Sequence, residues 1–227
     1  MSDPGTLALV GGGEWTAGCD FDRDLLEASG TDRVVVLPTA AAYEHPERRA
    51  LAAARWFGAL GAEVEGLMIC SRADAMDPGA AEVVRQARFV YLSGGSPLHL
   101  RSVLMGSPVF TALREAWSAG AVVAGSGAGA MALTDPMVDP RGGALTVGLG
   151  LVDRLAVVPL SDAGQDAQGE KLHRSVVLAP AGLPVVVVPE RTAVIRMPHG
   201  GWRSAGEGVP IVYLNGEPDP LGTGALR

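Results

Sequence analysis

The stretch Ala121-Val122-Val123-Ala124-Gly125-Ser126-Gly127-Ala128-Gly129-Ala130-Met131 decides how this chain is read. A short apolar run passes directly into small residues and then into a helix-compatible segment. That pattern describes a buried strand turning sharply into a helix, where only glycine and alanine leave room for the two to lie close together. Working outward, similar apolar runs recur at Leu7 to Val10, Arg33 to Leu37, Val64 to Ile69, Phe89 to Leu92 and Pro184 to Val188. Continuous rather than alternating hydrophobicity predicts strands buried on both faces of a largely parallel sheet. The stretches between them read as helices. Ala50, Ala53, Phe57 and Leu60 share one helical face, and so do Leu172, Val176 and Ala179. Asp77-Pro78, Ser96-Pro97 and Ser107-Pro108 each place an N-cap acceptor before a proline suited to a first helical turn. The alternation of strand and helix predicts an α/β fold, a three-layer α/β/α sandwich with ligands held at the carboxyl ends of the strands.

The 227 residues read as a single domain spanning 1–227, since neither a composition shift nor an internal repeat divides them. Hydrophobic residues make up 48% and charged residues 19%, enough for a large core and unlike a disordered chain. A net charge of −7 without clustered basic residues argues against a nucleic-acid partner. The first apolar run is too short for a signal sequence and no later one suits a membrane span, so no membrane partner is expected and the protein is placed in the cytoplasm. Cys19 and Cys70 have no CxxC spacing and no His/Asp/Glu set has ligand spacing, so neither a metal nor another cofactor is expected. The Gly-rich stretch from Asp139 to Gly150 predicts a turn or hairpin, and Ala193 to Met197 and Ile211 to Leu214 predict further strands.

Three strand ends carry glycines: Gly11-Gly12-Gly13-Glu14, Ser93-Gly94-Gly95-Ser96 and the 125–130 elbow. Singly each reads as a tight turn; together they suggest a cradle in which backbone N–H groups face a ligand. With VVVLPTAAA, YLSGGSPLHL, GLGLV and VVVPERTAVI, the order of these motifs resembles the peptidase E and cyanophycinase family of serine peptidases over most of the chain. The resemblance implies a flavodoxin-like fold akin to class I glutamine amidotransferases, with an elbow of the form G-x-S-A-G-A. On that pattern Gly127 stands where the nucleophilic serine belongs. In relatives the histidine base follows GLGL in a D-Q-H-like segment; here that segment is Val157 to Ser161, and no histidine lies between His99 and His173. The resemblance therefore implies a pseudoenzyme.

Ser126 is the alternative nucleophile, with small neighbours Ala124 and Ala128, although a shift of one residue turns its side chain elsewhere. Gly12, Gly13, Gly94, Gly95 and Ala128 form the candidate oxyanion or ligand cradle. Glu14, Trp15, Ser96, His99 and Glu190 are candidate pocket residues. Trp15 is read as covering the rim. His99 either faces inward or serves packing, and Glu190 either shapes the pocket, beside Arg191, or is a solvated carboxylate. The segment Gln168 to Arg174 resembles a basic helix start in relatives, with His173 on a solvated face. The expected ligand is a small peptide, an amino acid or a protein partner. Two other readings remain: an active serine hydrolase of short acidic peptides or isopeptides using Ser126, and a structural subunit whose elbow region forms part of a homodimer or heteromeric contact.

Overall fold

The computed structural model describes residues 3–160, 165–219 and 222–226. In chain order the first half runs β1 (Leu7–Val10), α1 (Phe21–Ser29), β2 (Arg33–Leu37), α2 (Pro46–Ala59), β3 (Glu63–Gly66), α3 (Arg72–Ala75), α4 (Pro78–Gln86), β4 (Phe89–Leu92), α5 (Pro97–Leu104), α6 (Pro108–Ser118), β5 (Val122–Ser126) and α7 (Ala128–Leu133). Three proline-led helices, α4, α5 and α6, start where their caps place them. The Asp77 carboxylate accepts from the N–H groups of Gly79 and Ala80, Ser96 from His99 and Ser107 from Phe110.

The second half contains β6 (Thr134–Asp135), β7 (Met137–Val138), β8 (Leu145–Thr146), β9 (Val152–Asp153), β10 (Ala156–Pro159), α8 (Gln165–Val177), β11 (Val185–Val188), β12 (Thr192–Arg196), β13 (Trp202–Gly206), β14 (Ile211–Leu214) and β15 (Glu217–Pro218). A seven-stranded sheet has the order β13-β12-β1-β5-β4-β2-β3. Its strands from β1 to β3 are parallel, while β12 and β13 add antiparallel at the β1 edge. Successive side chains of the parallel strands alternate between two cores. Leu7, Leu9, Val90, Leu92 and Val123 face one that includes Leu100 and Leu113, whereas Ala8, Val10, Phe89, Tyr91 and Ala124 face one that includes Leu25 and Phe57. The sheet therefore lies between two helical layers, the three-layer α/β/α arrangement.

Four expectations need correction. The 64–69 run does not form a strand buried on both faces: β3 covers Glu63–Gly66, occupies the sheet edge and carries exposed or half-buried residues. Val185–Val188 is fully buried but belongs to a separate four-stranded sheet, β10-β11-β14-β15. Burial on both faces makes a run apolar without saying which sheet it joins. Ala179 lies beyond α8, which ends at Val177. The basic segment from Gln168 does not begin that helix, which starts at Gln165. The predicted hairpin is present as the antiparallel pair β7–β8. No helix among the described residues is long and apolar enough to cross a membrane.

Candidate active site

The strand order brings the glycine loops together, because β5 sits between β1 and β4 with Val10 opposite Ser126 and Leu92 opposite Gly125. All three loops consequently open into one cleft of about 350 Å3 at the carboxyl end of the sheet. Gly12, Gly13, Glu14, Gly94, Gly95, Gly127, Ala128 and Glu190 border it.

Glycines play different parts along the elbow. A Cβ on Gly125 would lie 2.7 Å from the Gly129 carbonyl carbon, and one on Gly129 would lie 2.5 Å from the Leu92 carbonyl oxygen. Both are required by the close approach of strand, helix and neighbouring strand. Gly127, by contrast, would place a Cβ no nearer than 3.8 Å from Gly94 Cα. Its backbone has φ 50° and ψ −106°, strained for any residue with a side chain. The Gly127 N–H is fixed on the Val10 carbonyl at 2.9 Å. The turn thus has the shape of a nucleophile elbow, with an open position in front of its apex and no side chain there.

Ser126 points the other way. It is fully buried, does not border the cleft, and its hydroxyl donates to Glu14 Oε2 at 2.9 Å. Glu14 Oε1 accepts the Gly94 N–H at 3.1 Å and lies 3.6 Å from Arg49 Nη1. Beneath this carboxylate is a closed polar cluster. Trp15 is not a rim residue: it is buried, its ring centroid 5.1 Å from that of Tyr91. Asp22 is fully buried and accepts from Trp56 Nε1 at 2.9 Å. Burial pushes the Asp22 carboxyl up to about 8, opposed by the Trp56 hydrogen bond and reinforced by the Glu14 charge. Burial likewise raises the Cys19 thiol to about 11 and lifts the Tyr91 phenol well above its ordinary value. Trp15 Nε1, Asp22 Oδ1 and the Tyr91 hydroxyl are buried without a hydrogen-bond partner among the described residues.

The remaining candidates separate. Glu190 borders the cleft, with Arg191 Nη1 3.7 Å from its carboxylate. Ser96 serves as the α5 cap and is not part of the cleft wall. His99 packs edge-on against Tyr43, and its Nε2 lies 2.9 Å from the Cys70 carbonyl oxygen, away from the cleft. His173 is exposed on α8. Of Val157 to Ser161, Pro159 and Leu160 line the cleft, and Ser161 lies outside the described residues. Sequence reading missed Arg49, Asp22 and Tyr91. Asp22 had a signal, since it falls at helical spacing with Leu25 and Ser29 on the buried face of α1.

A largely parallel α/β sheet with a strained strand-to-helix elbow and glycine loops on both sides has the framework of a nucleophile-elbow site. Residues 7–199 match peptidase family S51, and the chain belongs to that family. A crystal structure of a peptidase from an acI-B1 Actinobacterium is 25% identical and superposes with a TM-score of 0.86, covering 96% of this chain and 94% of that one. A protein from Listeria monocytogenes EGD-e assigned as a peptidase E is 17% identical, with a TM-score of 0.58 over 93% of this chain and 98% of that one, a likeness of fold. No curated protein matches.

Proposed function

We propose that this chain is a catalytically deficient member of family S51 that uses the cleft to bind a short peptide, an amino acid or a protein terminus. One observation carries the reading: the elbow apex facing the cleft is Gly127, while its neighbouring serine is turned beneath the loops and bound to Glu14. An acyl-transfer site needs a nucleophile whose oxygen reaches the substrate and a base within reach of that oxygen. No histidine borders the cleft among the described residues. The backbone cradle persists, because its shape depends on Gly125, Gly129 and Gly95 rather than on a nucleophile; a Cβ on Gly95 would lie 2.3 Å from the Ala40 carbonyl oxygen.

The competing reading makes Ser126 a nucleophile with Glu14 as its base. The 2.9 Å hydrogen bond between them favours it, and the complete burial of Ser126 opposes it. Treatment with a fluorophosphonate probe followed by intact-mass measurement separates the two. The binding reading expects no adduct while a control hydrolase labels fully. An adduct that disappears in Ser126→Ala establishes the hydrolase instead. A thermal-shift screen against dipeptides and free amino acids then tests binding directly.

A further inference from the structure

At the end of the sheet away from the cleft, two neighbouring hydrogen-bond donors have nothing to donate to. Arg196 closes β12 beside Leu7 at the start of β1, and Trp202 opens β13 directly opposite Arg196 in the antiparallel pair. Residues opposite each other in such a pair send their side chains from the same face, with Cβ atoms about 5 Å apart. Val194 and Trp202 pack into the core that includes Leu100 and Leu113, which identifies that face. Arg196 Nη1 and Trp202 Nε1 are both buried, and neither has a hydrogen-bond acceptor among the described residues.

The surroundings supply no acceptor. The Arg196 guanidinium carbon lies 5.6 Å from the centroid of the Trp117 ring, which steadies a cation without accepting its in-plane N–H groups. The Trp117 N–H is itself turned to the Gly5 carbonyl at 2.8 Å. Arg203, next to Trp202 on β13, points to the other face with Ala205 and takes the Asp24 carboxylate there at 3.2 Å. Among the described residues no carboxylate lies within ion-pair distance of Arg196. An arginine cannot escape this by losing its proton, as a buried carboxyl escapes by gaining one. Arg72 shows the usual resolution, its guanidinium donating to the carbonyls of Val103, Met105 and Gly106. A half-buried guanidinium beside a buried indole N–H, both lacking an acceptor, is the donor set of an anion site.

We propose that Arg196 and Trp202 form a binding site for a small oxyanion, a phosphate or a carboxylate, whose oxygens accept from the guanidinium and from the indole N–H. The ion enters from the turn that joins β12 to β13. Arg196 Nη2 lies beside that turn, where a Cβ on Gly200 would be 3.9 Å away, and His199 and Gly201 within the turn are exposed. Because Nη1 and Nε1 are shielded, the ion seats as the turn moves aside, a displacement that the adjacent Gly200 and Gly201 permit. The five residues of β12 separate the site from the cleft, roughly 15 Å at ~3.3 Å per residue. The inference is therefore independent of what occupies the cleft.

A proton–nitrogen correlation spectrum of the wild-type protein, titrated with inorganic phosphate and separately with acetate at constant ionic strength, tests it. The indole signal missing from Trp202→Phe identifies the Trp202 N–H. At least one of the two anions is expected to move that signal along a saturable curve, and whichever does so names the class of oxyanion. In Arg196→Gln the affinity for that anion falls at least about tenfold, the loss of a charge-assisted hydrogen bond. Trp202→Phe keeps an aromatic ring and loses the N–H, and weakens the same anion about fivefold in titration calorimetry. A Trp202 signal that neither anion moves overturns the site. So does a titration curve that is the same in wild type and Arg196→Gln, which would mark a general effect of salt.

Discussion

Side by side at the end of β5, Ser126 faces a closed polar cluster and Gly127 an open cleft. Below, Glu14 ties Ser126, the Gly94 N–H and Arg49 together over Asp22, Tyr91 and Trp15. Above, the residue at the apex offers no functional group. The contrast teaches that the elbow's shape does not depend on a side chain at its apex. Its contour comes from backbone contacts at Gly125 and Gly129, and its polar fastening from the lower side, so the upper side keeps its form with the apex side chain missing.

The comparison breaks most severely if the backbone contacts are removed. Gly129→Val forces a branched side chain onto the Leu92 carbonyl, and a loss of more than about 4 kcal/mol, or failure to fold, is expected in urea unfolding. The closed side is next. The folded protein holds a proton on Asp22 up to about pH 8, whereas the ordinary carboxyl value is 3.8, so over that window the folded state binds the extra proton and stability falls as pH rises. The fall amounts to a few kcal/mol, and in Asp22→Asn the decline between pH 5 and pH 8 becomes much shallower when melting is followed across that range. Ser126→Ala withdraws a donor from the largely buried Glu14 carboxylate and costs about 2 kcal/mol in the same assay. Gly127→Ser has the smallest effect: the cleft has room for its side chain, the strained backbone costs about 1 kcal/mol, and with no histidine bordering the cleft among the described residues the new hydroxyl is expected to remain unlabelled by the fluorophosphonate probe. Labelling of that variant would show that the open side retains more catalytic equipment than a backbone cradle.

Those features written in neighbouring residues were legible in the sequence. The Asp77, Ser96 and Ser107 caps act within one helical turn, and the apolar runs from Leu7, Phe89 and Ala121 locate strands through their own burial. The convergence of the glycine loops also followed from a parallel sheet with ligands at its strand ends. What escaped depends on contacts distant in the chain. Ser126 and Glu14 are 112 residues apart, so no local pattern turns the serine towards that carboxylate. The inward direction of Trp15, set by a positive φ of 61° and by Tyr91, was equally unavailable. A continuous apolar run marked Val185–Val188 as buried without telling the four-stranded sheet from the seven-stranded one. The acidic character of Asp22 obscured the helical spacing that places it inside.

The burial of Trp15 has an optical consequence. Its indole follows Glu14 directly in the chain and lies against Tyr91, while Trp56 donates to Asp22, so two of the four tryptophans sit at the underside of the cleft. Their emission is expected to report on that region, because the Trp56 indole N–H donates directly to the Asp22 carboxyl. Titration of the buried carboxyl is therefore expected to register in the unmodified protein, with no attached dye.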